Sequence, residues 1–470
     1  MQLIVEFLLT SGLYVLYEFI PRFHLHLELI LVLIVFWVIF KKSDKKVIQL
    51  SKEDEERIIN EWKPQPLVED FVKSYKRPLK IVDRQDDKYI YVNGTKCLNL
   101  ASCNFLGLLT NKESETEAIK AVRKYGIGSC GPRGFYGTVD VHLQLEEDIA
   151  KFFGLEESIV YSYGFAAISS CIPAYAKRSD IIFVDENVNF AIQKGLDASR
   201  SEIKYFRHND VDHLHELLLE QAELDLKNKK KSKKSRKFLI IEGIYNKSGD
   251  LCPFPELMAL KKKFKVRLFI DETLSFGVLG KTGRGVTEYF GVPSKDVDLI
   301  MVSMEYSLGT VGGFCAGSAY IVEHQRLSGL GYCFSASLPP LLTVVATTNL
   351  KTINNNPKLI EELNKMSRDM HTSLKINSVI MEHFYLKGDE LAPIKHLVPR
   401  DGHSEEFIED FVDYCELNGV AVCRAAYLPE DRPPCLPSIR LAVCRTLTTN
   451  DLCHVLDIFE NALNQEFSKF

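Results

Sequence analysis

The sequence predicts an α/β protein: a large domain on a mainly parallel sheet, a smaller C-terminal α+β domain, and an N-terminal membrane helix. Three observations carry this prediction. Short apolar runs alternate with helical stretches between about residues 97 and 345, helices and strands mix from 346 onward, and residues 25–40 are almost continuously apolar. The expected boundaries are 1–46 for the anchor, 47–96 for a linker and strand segment, 97–345 for the large domain and 346–470 for the small one. A chain of 470 residues exceeds what one hydrophobic core usually serves.

In the anchor, residues 3–19 are apolar with Glu6 and Glu18 at the margins, and a second run extends from Leu25 to Phe40. As a helix this second run reaches roughly 24 Å against a hydrocarbon thickness of ~30 Å, a length compatible with spanning. Lys41, Lys42, Lys45 and Lys46 follow at once, and Trp37 near them suits an interface. Positive charge on the cytosolic side places the large body in the cytosol, with a single pass. A helical hairpin packed on a protein core is the alternative, and residues 3–19 suit either a span or an in-plane helix.

From Ser51 the chain turns polar, with an exposed helix at Lys52–Arg57 and a linker at Pro64 and Pro66. Tyr89–Gly94 reads as a strand entering a turn, and Leu98–Ala101 as its partner. The runs 158–161, 181–184, 238–241, 267–270, 299–302 and 319–322 read as buried strands of the large sheet. Sites in such sheets lie at the carboxyl ends of the strands. Helices are expected from Pro340 to about Lys351 and from Pro357 to Leu374, with a later strand at Ser438–Val443.

Composition excludes several functions. With 58 basic and 63 acidic residues the net charge is −5, which offers no general attraction for nucleic acid. The 12 cysteines include no C-x-x-C pair, so neither a metal site nor a disulfide framework is expected, and the cysteines fit a reducing compartment. The tract Lys227–Lys237, rich in lysine, reads first as a solvated loop and second as a patch for acidic lipid or nucleic acid.

Three glycine-marked segments carry the chemistry. Gly126–Thr138 is a glycine-dense loop opening a helix, where glycines permit positive φ and close backbone approach. Gly164 and Phe165 open a helix after a strand, and its free N–H groups suit a phosphate. Asp271 ends an apolar strand, and Ser275, Gly277 and the glycine-rich Gly280–Gly285 follow. A carboxylate so placed is buried and needs a partner.

Taken in order with Asn104–Leu108, Gly309–Gly313 and Phe334–Pro340, these segments resemble the α-oxoamine synthase family of fold-type I pyridoxal-phosphate (PLP) enzymes, from about residue 85 to the C-terminus. The resemblance implies a fold-type I aminotransferase-like architecture. It equates Asp271 with the aspartate that pairs with the pyridine nitrogen and Ser303 with a hydroxyl near the cofactor phosphate, with Gly164 and Phe165 beside them. The departures fall on the chemistry. Tyr306 stands at the Schiff-base lysine, Asn189 at the ring-stacking histidine, Leu274 at the histidine after the aspartate, and Ser438 at the first arginine of a late R-x-R pair that ends in Arg440. A phenol forms no imine, so this chain is expected to hold no cofactor covalently and to be inactive alone.

One branch of the family combines an N-terminal membrane helix, the Cys130–Gly137 sequence and the absent lysine. Likeness to that branch implies a lysine-bearing sister subunit that holds the PLP. Together the two would condense L-serine with palmitoyl-CoA to 3-ketosphinganine at the endoplasmic reticulum, the first step of sphingolipid synthesis. Small activating subunits, ORM-type regulators and membrane lipid are further implied partners. Members are dimers with interfacial sites, so Cys130, Arg133, Phe135, Tyr136, Ser335 and Ser337 are expected to reach the partner's site. Two rivals are an active synthase using Lys281 and a scaffold that contributes nothing to catalysis.

Overall fold

A hairpin opens the folded body: β1 (Val82–Asp86) and β2 (Tyr89–Val92) pair antiparallel, and β2 pairs with β3 (Thr95–Asn99) across Asn93-Gly94. Both turn residues have positive φ (50° and 85°), which asparagine and glycine tolerate best. The computed structural model describes residues 27–40, 50–67, 79–400, 405–425, 427 and 436–464.

The central sheet has the order β4-β10-β9-β8-β7-β5-β6, built from β4 (Glu157–Tyr161), β5 (Ile181–Asp185), β6 (Glu202–Phe206), β7 (Lys237–Glu242), β8 (Arg267–Asp271), β9 (Leu299–Ser303) and β10 (Gly313–Gly317). Pairing among β6, β5, β7, β8 and β9 is parallel, and β10 alone runs antiparallel to its neighbours β9 and β4. Strands covered by helices on both faces must be apolar at every position, and β5 and β9 are buried throughout. Five of the six predicted runs become strands here. The run 319–322 is a correction: it forms the first turn of the Ala319–Ser328 helix, and the strand is Gly313–Gly317. Four apolar residues fit either period. Gly313, which opens this strand, is required by packing, because a Cβ there would lie 2.7 Å from Gly164 Cα and 2.8 Å from Ala167 Cβ.

The second core gathers Leu98, Leu100, Phe384, Leu397, Phe411, Ile439, Leu441 and Phe459. Its sheet has the order β11-β12-β15-β14, from β11 (Phe384–Lys387), β12 (Ile394–Pro399), β14 (Cys423–Ala425) and β15 (Ser438–Ala442). The two-residue β13 (Val420–Ala421) instead pairs parallel with β3, joining the N-terminal hairpin to this core. The Lys358–Ile376 helix serves both cores: Leu359, Ile360 and Leu363 pack in the first, Met366, Met370 and Leu374 in the second.

The chain divides into two compact units, residues 1–78 and 79–470. In the first, residues 27–40 are helical with exposed apolar side chains, and the exposed Lys52–Glu61 helix is capped by Ser51, whose hydroxyl accepts from Asp54 N at 3.1 Å. Among the described residues no helix is long and apolar enough to cross a membrane. The run 3–19 and the lysines 41–46 lie outside the described residues.

Candidate functional site

The carboxyl ends of β7, β8 and β9 open on a cavity of about 320 Å³ whose lining includes Phe165, Asn189, Glu242, Asp271, Leu274, Ser303 and Tyr306. Residues separated by more than a hundred positions in sequence meet there because parallel strands end side by side. Glu242 and Asp271 close neighbouring strands in register. Glu242 was not among the predicted site residues. Its signal, a carboxylate ending an apolar strand, is the one that singled out Asp271.

Two buried carboxylates side by side need donors, and the chain supplies them itself. Asn189 is the hub: its backbone N–H donates to Glu242 (2.6 Å), its Nδ2 to Asp271 (2.8 Å), and its Oδ1 caps the Phe190–Ser199 helix by accepting from Ile192 N (3.1 Å). Thr273 N donates to the other Asp271 oxygen (2.9 Å), and Asn246 N to Glu242 (3.0 Å). Burial raises the pKa of both acids. Burial and then the Asp271 charge push Glu242 up to about 8, so near neutral pH the pair carries at most one full charge.

Ser438, at the lost arginine, joins the same network. It bonds Nδ1 of the buried His396 (3.0 Å), whose Nε2 donates to Asn246 O (3.1 Å), and burial holds this imidazole neutral, at about 4. Where the resemblance implies an arginine, this chain has an internal chain of neutral hydrogen bonds. The retained Arg440 is largely buried and donates to Ala101 O (3.0 Å).

Tyr306 packs its ring against Phe105, with centroids 5.9 Å apart, and burial raises its phenol pKa above the usual range. Leu274 is fully buried. Among the described residues no lysine lines the cavity, and the exposed Lys281 borders a different groove beside Glu288 and Tyr289. Ser303 Oγ is buried without a hydrogen-bond partner among the described residues and is packed so closely on Gly164 that a Cβ there would lie 2.0 Å away. That orphan hydroxyl suits a phosphate, but the cavity has no amine and its aspartate is already engaged by Asn189. These residues do not fit a covalently held PLP.

A cross-brace holds the loops beneath Asn189 and Asn246. His208 bridges Asp185 (2.9 Å) and Asp250 (3.1 Å). Burial alone would lower its pKa, but hydrogen bonds to the two carboxylates raise it to about 9. The imidazolium therefore contributes stability that is fully present below the unfolded pKa of about 6.5 and is lost as pH rises through about 9. Replacing His208 by glutamine is expected to remove on the order of 2–3 kcal/mol at pH 6 and much less at pH 10. Urea midpoints of the two proteins over that range check this, and a gap independent of pH would contradict it.

The loop after Gly126 lies beside the 334–338 segment. Ser129 and Ser337 share a hydroxyl contact of 2.5 Å, Ser337 N donates to Gly131 O (3.0 Å), and Ser162 donates to Ala336 O. The turn Arg133–Gly137 is closed so tightly that a Cβ on Gly137 would lie 2.0 Å from Gly131 O. Of the residues expected to face a partner, Cys130 is exposed, Phe135 is 70% exposed and Tyr136 fully so, with Phe334 (78%) beside them. Tyr136 also has a φ of +63°, an uncommon conformation for a bulky residue. Ser335 is half-buried and donates to Gly331 O. Arg133 points inward, where its guanidinium pairs with both oxygens of the buried Glu146 (2.8 and 3.0 Å) and Nε donates to Thr138 (2.9 Å). It braces the loop rather than lying on its surface.

The seven-stranded sheet, the aspartate at the end of β8 and the glycine loops define a PLP-transferase scaffold. The family model for aminotransferase class I and II matches residues 95–406. Among solved structures, the S. paucimobilis serine palmitoyltransferase with a bound PLP–myriocin aldimine superposes with a TM-score of 0.74 at 26% identity, covering 82% of this chain and 92% of that one. Serine palmitoyltransferase 1 of Dictyostelium discoideum is 38% identical over 87% of both chains, and long chain base biosynthesis protein 1 of Arabidopsis thaliana is 40% identical over 73% of this chain and 70% of its own. The chain belongs to the serine palmitoyltransferase 1 family, whose members are also named long chain base biosynthesis protein 1.

Proposed function

We propose that this chain is the subunit of a serine palmitoyltransferase that lacks the Schiff-base lysine, with Tyr306 in its place, required for activity but without chemistry of its own. Its partner is a lysine-bearing catalytic long-chain base subunit 2, which holds the PLP. The pair condenses L-serine with palmitoyl-CoA to 3-ketosphinganine, releasing CoA and the serine carboxyl as CO2. One observation carries the reading: in a chain of this family, the cavity at the strand ends is lined, among the described residues, by the half-buried Tyr306 phenol and by no amine. The exposed aromatic loop supports the second half. Phe135, Tyr136 and Phe334 form an apolar surface of the kind that buries against another chain.

The finer expectations belong to the same proposal. Residues 25–40 hold the chain on the endoplasmic reticulum membrane in a single pass, with residues 79–470 in the cytosol, where small activating subunits and ORM-type regulators reach it. The apolar side chains exposed on helix 27–40 support this.

Purifying this chain alone, its sister alone and the pair tests the reading. The isolated chain is expected to show no visible PLP absorbance and no adduct after borohydride, and only the pair is expected to turn over serine and palmitoyl-CoA. A trapped adduct on the isolated chain would overturn the reading. Full turnover by the sister alone would leave a scaffold in its place.

A further inference from the structure

The tract that follows the Val211–Lys227 helix has no role in the site. It lies at the start of β7, whose far end holds Glu242, so the strand separates it from the cavity by roughly 17 Å. Lys227, Lys229, Lys230, Lys231, Lys233 and Lys234 are all exposed, and among the described residues none of them makes an ion pair. The two cations at its end differ: Arg236 pairs with Asp180 (2.8 Å) and Lys237 with Asp225. No acidic residue interrupts positions 227–237.

The chain here is ordered into a surface. Asn228 caps a single turn, Lys229–Ser232, by accepting from Lys231 N at 3.1 Å. On the preceding helix, Leu219 and Leu226 are exposed seven residues apart, hence on one face, with Leu226 71% exposed directly before the lysines. Six free ammonium groups next to exposed leucines combine the two attractions by which proteins adhere to anionic bilayers, charge and shallow apolar insertion. Nucleic acid is the poorer fit, because the tract holds no aromatic side chain to stack on bases and the whole chain carries a charge of −5.

We propose that residues 227–234 and the exposed leucines before them form a docking surface for a membrane bearing anionic lipid headgroups. The proposal rests on the reading that the chain is held at a membrane. Bound there, the loop would fix which face of the folded body lies against the bilayer, a constraint that residues 25–40 cannot supply.

The test uses the full chain with its lysine-bearing partner in lipid nanodiscs, reading lysine acylation by mass spectrometry. Discs of phosphatidylcholine are compared with discs containing phosphatidylserine, at low and high salt. Acylation of Lys229–Lys234 is expected to slow about fivefold in the anionic discs and to recover in high salt, while Lys112 and Lys151 are unaffected. Equal rates in both discs would overturn the proposal, as would equal protection in neutral discs on adding inositol hexakisphosphate or RNA. If the chain does not remain on neutral discs, the anchor reading fails by itself. Flotation then decides the loop: the chain should rise with anionic vesicles only, and a Lys229→Gln/Lys230→Gln/Lys231→Gln/Lys233→Gln/Lys234→Gln variant should not. Flotation unaffected by these five changes counts against the loop.

Discussion

Replacing Tyr306 by lysine alone is expected to leave the chain without a PLP adduct. The obvious expectation is the opposite, since the missing amine is the most conspicuous loss. But the cavity has closed on itself: the Asn189 amide holds Asp271 at 2.8 Å while its backbone holds Glu242 at 2.6 Å. An aspartate bonded in this way is not free for a pyridine nitrogen, and Leu274 offers no polar contact. Adding Asn189→His and Leu274→His releases Asp271 and supplies the residues that the α-oxoamine synthase resemblance implies at all three positions, so the triple variant is expected to give a borohydride-trapped adduct detectable by mass. Losing the Asn189 helix cap should cost it about 1 kcal/mol of stability. A stoichiometric adduct on the single variant would show that Asn189 does not block the site.

The second large effect concerns the glycine loop. Arg133→Ala is expected to destabilise the chain by about 2–3 kcal/mol, because Glu146 loses both charge-assisted hydrogen bonds from Arg133 and keeps only the more distant Arg326 (3.6 Å) as a counter-charge. Glu146 also accepts from Val160 N (2.9 Å), so the damage reaches β4. Gly137→Ala is expected to disturb the same turn through the 2.0 Å clash with Gly131 O. Thermal unfolding measures the loss, and co-purification with the partner measures the consequence. If Arg133 instead acted on the partner's substrates, its alanine variant would keep normal stability and assembly and change only turnover.

The sheet was legible in the sequence because strands buried on both faces are apolar throughout, as in Ile181–Val184 and Leu299–Val302. β10 was not, because its ends are Gly313 and Gly317 rather than apolar side chains, and only in the fold do Gly164 and Ala167 show why a side chain is excluded at Gly313. The half-exposed edge strand β6 carried no such apolar run. At the site, Asp271 stood out locally, whereas Tyr306, Asn189 and Leu274 became informative only against a family pattern. The direction of Arg133 was hidden for a different reason. An arginine in a glycine loop reads as a surface cation, and its buried partner lies on the next helix, where only folding brings the two together.

The exposed aromatic loop has a consequence for how much of this protein a cell can keep. A chain that shows water Phe135, Phe334 and a Tyr136 held at a φ of +63° bears the mark by which quality control sorts unassembled subunits from finished ones. Newly made copies in excess of the partner would be degraded, so the partner's supply, rather than this gene's own expression, would set the steady-state level of the chain.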